Sequence, residues 1–223
     1  DMQYTLEGIH GPPGTGKSTT IRTYLDTLPE NSLAYVMCVR NSALNAIAEK
    51  LDPKKYSAGA FTSRKLLKEA TGRMYQRLRA LTLDCRVRAH PMVRRETEKR
   101  EEYVKASGKI MLAMGDALLK EASDTENSFD GQRQIREIRQ WLVMIWKDGA
   151  GEVLPKKLIT VLSLPRYEDL YIMCNKFCKT WGEVQHIRNT LNNGVEIART
   201  TAREDIMRDI RVVLCTVDGM PRV

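Results

Sequence analysis

Hydrophobic and polar positions change rhythm twice along the chain. Tyr4-Thr5-Leu6-Glu7-Gly8-Ile9 is a short run containing β-formers that leads straight into a glycine-rich turn, so a strand followed by a loop is predicted. Residues 17–28 suit a helix, ended by Pro29-Glu30-Asn31-Ser32. Leu33–Val39 is almost continuously apolar, the pattern of a parallel strand covered on both faces. A second helix is predicted from Ser42 to Leu51, stopped by Asp52-Pro53. Strand, loop, helix, strand, helix is the opening of a parallel α/β sheet, because parallel neighbours need a crossover that a helix supplies.

The rhythm then becomes helical. Charged, helix-favouring residues dominate from about Thr62 to Arg211, with candidate helices near 63–82, 91–121, 132–147, 165–181 and 183–209. A strand-like run, Arg211–Val217, returns only after them. About 150 residues between two strands far exceeds an ordinary crossover. The expected organisation is therefore an incomplete parallel α/β sheet in residues 1–61, a helical insertion in 62–210, and a returning strand in 211–223. Glu121–Gly131 is polar and acidic and is expected as a solvated loop. Ile138, Trp141, Val143, Ile145 and Trp146 are expected to form one apolar helical stripe, with Trp181 opening the next element.

Composition narrows the class. The chain has 223 residues, 42% hydrophobic and 29% charged, enough to build a sizeable core and unlike a disordered segment. No run approaches about 18 apolar residues, so no spanning helix and no membrane partner are expected. A net charge of +8 points to an anionic partner, and nucleic acid is the commonest one for a basic intracellular protein. Five irregularly spaced cysteines and no leader-like segment predict a reducing compartment, cytoplasmic or nuclear. A monomer is expected.

The chemistry concentrates in Gly11-Pro12-Pro13-Gly14-Thr15-Gly16-Lys17-Ser18. The glycines let the backbone wrap closely around an anion, and the loop amides with the following helix N-terminus supply donors and a favourable dipole. Lys17 brings a point charge to the β and γ phosphates, and Ser18 a hydroxyl for Mg²⁺. Thr15 and Thr19 are candidates for further phosphate contacts. The strand before and the helix after the loop are the context this motif requires, and the expected ligand is ATP with Mg²⁺.

The paired-proline form of this loop resembles motif I of superfamily 1B helicases, the group containing the nonsense-mediated-decay helicase and senataxin; AAA+ ATPases share the variant. The segment Met37–Leu51, with Asn41 and Ala43 in place and a helix ending Glu49-Lys50, resembles motif Ia of those helicases. It departs from the family in having Val39-Arg40 where Pro-Ser is usual, and Asn45 where Asp is usual. Val213–Arg222 is similar to the family's next motif, a strand ending in Cys-Thr followed by glycine and Pro-Arg. The resemblance covers about 60 residues at the two ends, and these helicases carry a helical insertion at this place. It implies a RecA-like P-loop domain, ATP-dependent RNA or DNA unwinding, and a second RecA-like domain outside this chain. Lys17 and Ser18 are then the catalytic pair, while Asn41, Thr216 and the adjoining Arg40 contact single-stranded RNA or DNA. Thr216 would face that strand from the carboxyl edge of the sheet.

No apolar run ending in Asp-Glu follows the loop, and Glu168-Asp169 and Glu204-Asp205 sit in helical contexts. The piece alone is accordingly expected to bind nucleotide better than it hydrolyses it. Two other readings stay open at this point, an AAA+ remodelling ATPase and a nucleic-acid-binding P-loop module without hydrolysis. A small-molecule kinase would need a compact lid, and the insertion is too long for one.

Between Thr62 and Tyr103 lies a basic cluster that includes Arg64, Lys65, Arg77, Arg79, Arg86, Arg88, Arg94, Arg95, Lys99 and Arg100, with Phe61, Tyr75 and Tyr103 interleaved. Arginines on phosphates and aromatics on bases would make this a single-strand track. A solvated helix face laced with intrahelical pairs is the plainer reading. Cys174 and Cys178 stand four apart with His186 beyond; lacking a fourth ligand, they read as buried structural thiols. His10 beside the loop carries no expected catalytic role, and His90 before Pro91 marks a helix start.

Overall fold

The computed structural model describes residues 7–12, 14–29, 31–53, 55–61, 75–124, 129–148 and 154–217. Three strands build its sheet: β1 (Ala34–Cys38), β2 (Ala58–Phe61) and β3 (Val212–Thr216). They lie in the order β1-β3-β2, all parallel, with Ala34, Val212 and Ala58 in register at one end. Every residue of β3 is buried, as befits a central strand whose two faces both need cover. Val212 and Leu214 point into one core and Val213 and Cys215 into another.

On the first face pack α1 (Lys17–Thr27), α2 (Asn41–Lys50) and the short α3 (Gln76–Ala80), through Leu25, Leu44, Ile47 and Leu78. On the second face lie α4 (Leu83–Ala89), the first turn of α5 (Pro91–Asp124) and the last turns of α8 (Glu168–Asp209), through Val87, Val93, Ala202 and Ile206. Pro91 opens α5 at a position where the missing N–H would have had no helical partner. Strand β1 is covered on one face only: Val36 is 8% exposed, whereas Tyr35 and Met37 are 46% and 42% exposed. The expectation of cover on both faces fails there, because α2 packs beneath β1 and no described element packs above it.

Strand β2 is absent from the sequence reading. Its residues, Ala-Gly-Ala-Phe, have little intrinsic strand preference, and pairing with β3 together with an Ala60 N–H to Leu81 carbonyl bond of 2.9 Å makes the strand. Gly59 is required by crowding, since a Cβ there would lie 2.4 Å from Ile210 Cδ1. The predicted first strand falls partly outside the described residues, and residues 7–10 are irregular.

The described chain divides into two compact units, residues 1–94 with 197–223, and residues 95–196. The expected insertion ran from 62 to 210; the compact helical unit is shorter, because α3, α4 and the last turns of α8 belong to the cores around the sheet. In the helical unit the remaining parts of α5 and α8 run antiparallel, with Arg100 Nε donating to Asn192 Oδ1 at 2.6 Å. They are joined by α6 (Phe129–Asp148) and α7 (Lys156–Leu162), with a 3-10 turn at Pro165–Tyr167. Trp141 meets Phe177 edge-on at 5.7 Å in the centre of this core.

Ile138, Trp141 and Ile145 are buried as the stripe requires, but Val143 is 63% exposed. Five residues from Ile138 is about 500° of helix, which turns Val143 to the opposite side. The side chain of Trp146 lies outside the described residues. The break predicted near Gly182 does not occur: α8 runs through it, because Trp181 and Val184 are both buried and their packing outweighs the roughly 1 kcal/mol that a helical glycine costs. The helix expected over 63–82 is described only from residue 75; α3 ends at Ala80, and Thr82 bridges to Ala60. Residues 125–128 of the predicted acidic loop lie outside the described residues; α5 reaches Asp124 and α6 begins at Phe129. No helix among the described residues is long and apolar enough to cross a membrane.

Two predictions follow from the sheet unit. Gly59→Ala should destabilise by about 1–3 kcal/mol through overpacking, and by clearly less in an Ile210→Ala background, as a urea double-mutant cycle would show. The second concerns Asp26, near the end of α1, which accepts hydrogen bonds from Lys55 Nζ and Tyr56 Oη, with Arg22 3.9 Å away. These bonds hold its carboxyl below the usual carboxylate range. Its contribution is therefore complete above the unfolded carboxylate pKa and is lost as pH falls through the lowered folded value. The urea midpoint should drop on acidification below about pH 4, and Asp26→Asn should start lower at neutral pH and show a flatter acid limb.

Candidate nucleotide site and sheet edge

Gly14 and Gly16 both adopt the left-handed conformation, with φ of 84° and 81°. Any side chain would be strained in either place, and the two turns carry the chain from Gly11 round to the first residue of α1. Thr15 Oγ1 donates to the Pro12 carbonyl at 2.9 Å and closes the turn. The Gly16 carbonyl accepts the amides of Thr19 and Thr20 at 2.8 and 3.0 Å, which starts the helix. Gly16 offers no side-chain cap, and no acidic residue stands in the first turn. The positive end of α1 is thus uncompensated from within the helix, at the place where Lys17 and Ser18 begin it.

Lys17 is half-buried, and its Nζ donates to the carbonyls of Gly11 and Pro12, both at 2.5 Å. The ammonium is held against the carbonyls that open the loop. Ser18 is half-buried and Thr19 exposed. Pro13 lies outside the described residues. The sequence reading missed Lys50: its Nζ donates to Thr19 Oγ1 at 3.0 Å and sets a second cation one residue beyond Ser18. Its only trace in the sequence is the Glu-Lys end of α2, which says nothing about where the ammonium reaches.

The candidate strand-binding residues share one edge. Cys38 pairs with Thr216, so β1 and β3 end together at the carboxyl side of the sheet, and Arg40 and Asn41 open α2 immediately after β1. Carboxyl edges of parallel sheets are where α/β proteins bind ligands. Arg40 is exposed; Thr216 is 7% exposed, and its side chain presents little surface. Asn41 Oδ1 is shut off from solvent without a hydrogen-bond partner.

The basic cluster divides. Arg64 and Lys65 lie outside the described residues. Arg86 is internal: it donates to the Ala58 carbonyl at 2.9 Å and to Ser57 Oγ at 3.2 Å, and burial lowers its pKa. Lys99 pairs with Glu96 at 2.7 Å, and Arg100 is engaged with Asn192. Phe61, Tyr75 and Tyr103 pack against the cores. Arg79, Arg88, Arg94 and Arg95 are exposed. Stacking aromatics interleaved with cations are therefore not what the described part of this segment presents. Cys174 and Cys178 are buried in the helical core, where desolvation pushes their thiols up to about 12 and about 11; His186 is exposed. Thiols so protonated are packing groups.

A positive-φ glycine turn, a lysine at its mouth and an uncapped helix start make up a phosphate-loop geometry, and the family model described as AAA domain matches residues 3–222. The chain belongs to the AAA domain family. It is the domain found in superfamily 1 helicases, and a P-loop NTPase. No curated protein and no solved structure is significantly similar to the chain.

Proposed function

We infer that this AAA domain chain is the ATP-binding part of the first RecA-like domain of a superfamily 1B helicase, of the group that contains the nonsense-mediated-decay helicase and senataxin. The observation that carries the reading is the loop itself: two left-handed glycines deliver an uncompensated helix N-terminus and the Lys17 ammonium to one point. The family match over both ends of the chain supports it.

The residues present fit MgATP. The first-turn amides and Lys17 would hold the β and γ phosphates, and Ser18 would hold Mg²⁺, which when bound supplies charge neutralisation between those phosphates. Lys17 must exchange its two carbonyl acceptors for phosphate oxygens, which need a cation more than neutral carbonyls do. Gly14 and Gly16 have nothing within 4 Å of a notional Cβ, leaving open space for a ligand to approach. At the sheet edge, Arg40 and Asn41 would meet the backbone of single-stranded RNA or DNA, with Thr216 beside them. Closure against a second RecA-like domain, supplied outside this chain, would complete the hydrolytic site and couple the nucleotide cycle to strand movement.

Lys17→Ala should weaken MgATP binding by roughly 100-fold or more, since charge-assisted bonds to two phosphates are lost. Isothermal titration on the folded variant would check it, and unchanged affinity would overturn the assignment. Single-stranded oligonucleotide affinity should fall steeply with salt, with a log–log slope of about −3.5 for five phosphate contacts. Fluorescence anisotropy at several ionic strengths reads this slope, and Arg40→Ala should flatten it by nearly one contact. A salt-independent curve would remove the strand-binding part of the proposal.

A further inference from the structure

The helical unit holds a concavity that nothing in the nucleotide reading uses. Leu112, Asp116 and Leu119 of α5 face Arg139, Leu142 and Val143 of α6 across a groove of about 570 Å³. The α5 residues recur at i, i+4 and i+7, so they form one face of that helix. Toward the end where α5 stops and α6 starts, a smaller hollow of about 280 Å³ continues the groove past Ser123, Gln132 and Arg136, and Arg139 lines both. From Leu112 to Ser123 the trough runs about 16 Å, three helical turns.

Its two ends differ in chemistry. At one end Leu112 and Val143 are 48% and 63% exposed, with Met144 beside Val143 at 54%. Val143 is the position at which the α6 pattern departs from its core stripe. At the other end stand two exposed guanidiniums, Arg136 and Arg139. Among the described residues, the α6 ion pair is Arg133 with Glu137 at 3.5 Å, and neither Arg136 nor Arg139 takes part in one. An apolar trough leading to two unpaired cations is complementary to a chain that is itself apolar at one end and acidic at the other. The described lining offers no aromatic ring on which a base could stack, so polypeptide fits better than nucleic acid.

We propose that the groove between α5 and α6 docks an amphipathic acidic segment of a partner protein, about three helical turns long. Its bulky apolar side chains enter between Leu112 and Val143, and its carboxylates meet Arg136 and Arg139. The site is independent of nucleotide, and its residues lie in none of the phosphate or strand contacts described above.

The test uses the whole chain and a labelled helical peptide of about 16 residues, with leucines at i and i+4 and glutamates one and two turns beyond. A second peptide carries lysines in place of the glutamates. Anisotropy should show saturable binding of the glutamate peptide at least about tenfold tighter than the lysine peptide. In the double variant Arg136→Glu/Arg139→Glu that preference should reverse, and Val143→Asp should weaken both peptides. All three positions are exposed, and unchanged thermal melting of each variant would show that the fold is kept. Absent or charge-blind binding would overturn the proposal. So would a concentration-dependent dimer in sedimentation that Val143→Asp abolishes, because a second copy would then cover the face. Displacement of the peptide by single-stranded oligonucleotide in the wild type but not in the arginine variant would overturn it in favour of nucleic acid.

Discussion

The sheet unit depends on strand β3 being buried from both sides. Five consecutive residues, Val212–Thr216, join β1 to β2 and divide their side chains between two cores. Among the described residues the other two strands pair only with β3 and not with each other. Strand β3 reaches the sheet only after the helical unit has been traversed, so its pairing with β1 is a strongly non-local contact. The start of α5 and the end of α8 meet through Val93, Ala198 and Ala202 on the sheet's second face, and this packing delivers β3 to its slot. Loop-closure entropy grows only slowly with length, and an ordered antiparallel helix pair reduces it further.

The chemistry of the sheet unit follows from the direction of its strands. Because all three are parallel, Cys38, Phe61 and Thr216 finish on one edge, where Arg40 and Asn41 follow Cys38. The amino edge does a different job. There Asp26, Lys55 and Tyr56 tie the end of α1 to the segment that precedes β2. The helix that presents Lys17 at one end is therefore fastened at the other by a titratable contact.

Much of this was legible in the sequence where local and tertiary preferences agree. The glycine turn, α1, α2 and the returning strand lie where residue type alone puts them, because a left-handed turn needs glycine and a doubly covered strand needs an apolar run. Strand β2 was illegible: its alanines have little strand preference, and its glycine is required by close approach to Ile210, a contact that exists only after folding. The compact helical unit is shorter than the run of helix-favouring residues for a related reason, since nothing local distinguishes helices that cover a sheet from helices that cover each other. The stripe of α6 shows the same limit on a finer scale. Val143 is as apolar as its neighbours, yet its angle around the helix places it outside the core. Lys50 and Asp26 gave no signal because their partners are thirty residues or so away along the chain.

Lys17 has a default set of acceptors in its own loop. With its ammonium satisfied by Gly11 and Pro12, emptying the pocket leaves neither a stranded cation nor a collapsed turn. Nucleotide affinity is then the difference between two complete sets of hydrogen bonds, and not the full strength of either. On the proposed reading, a departing nucleotide would leave behind a lysine whose other acceptors lie in its own loop.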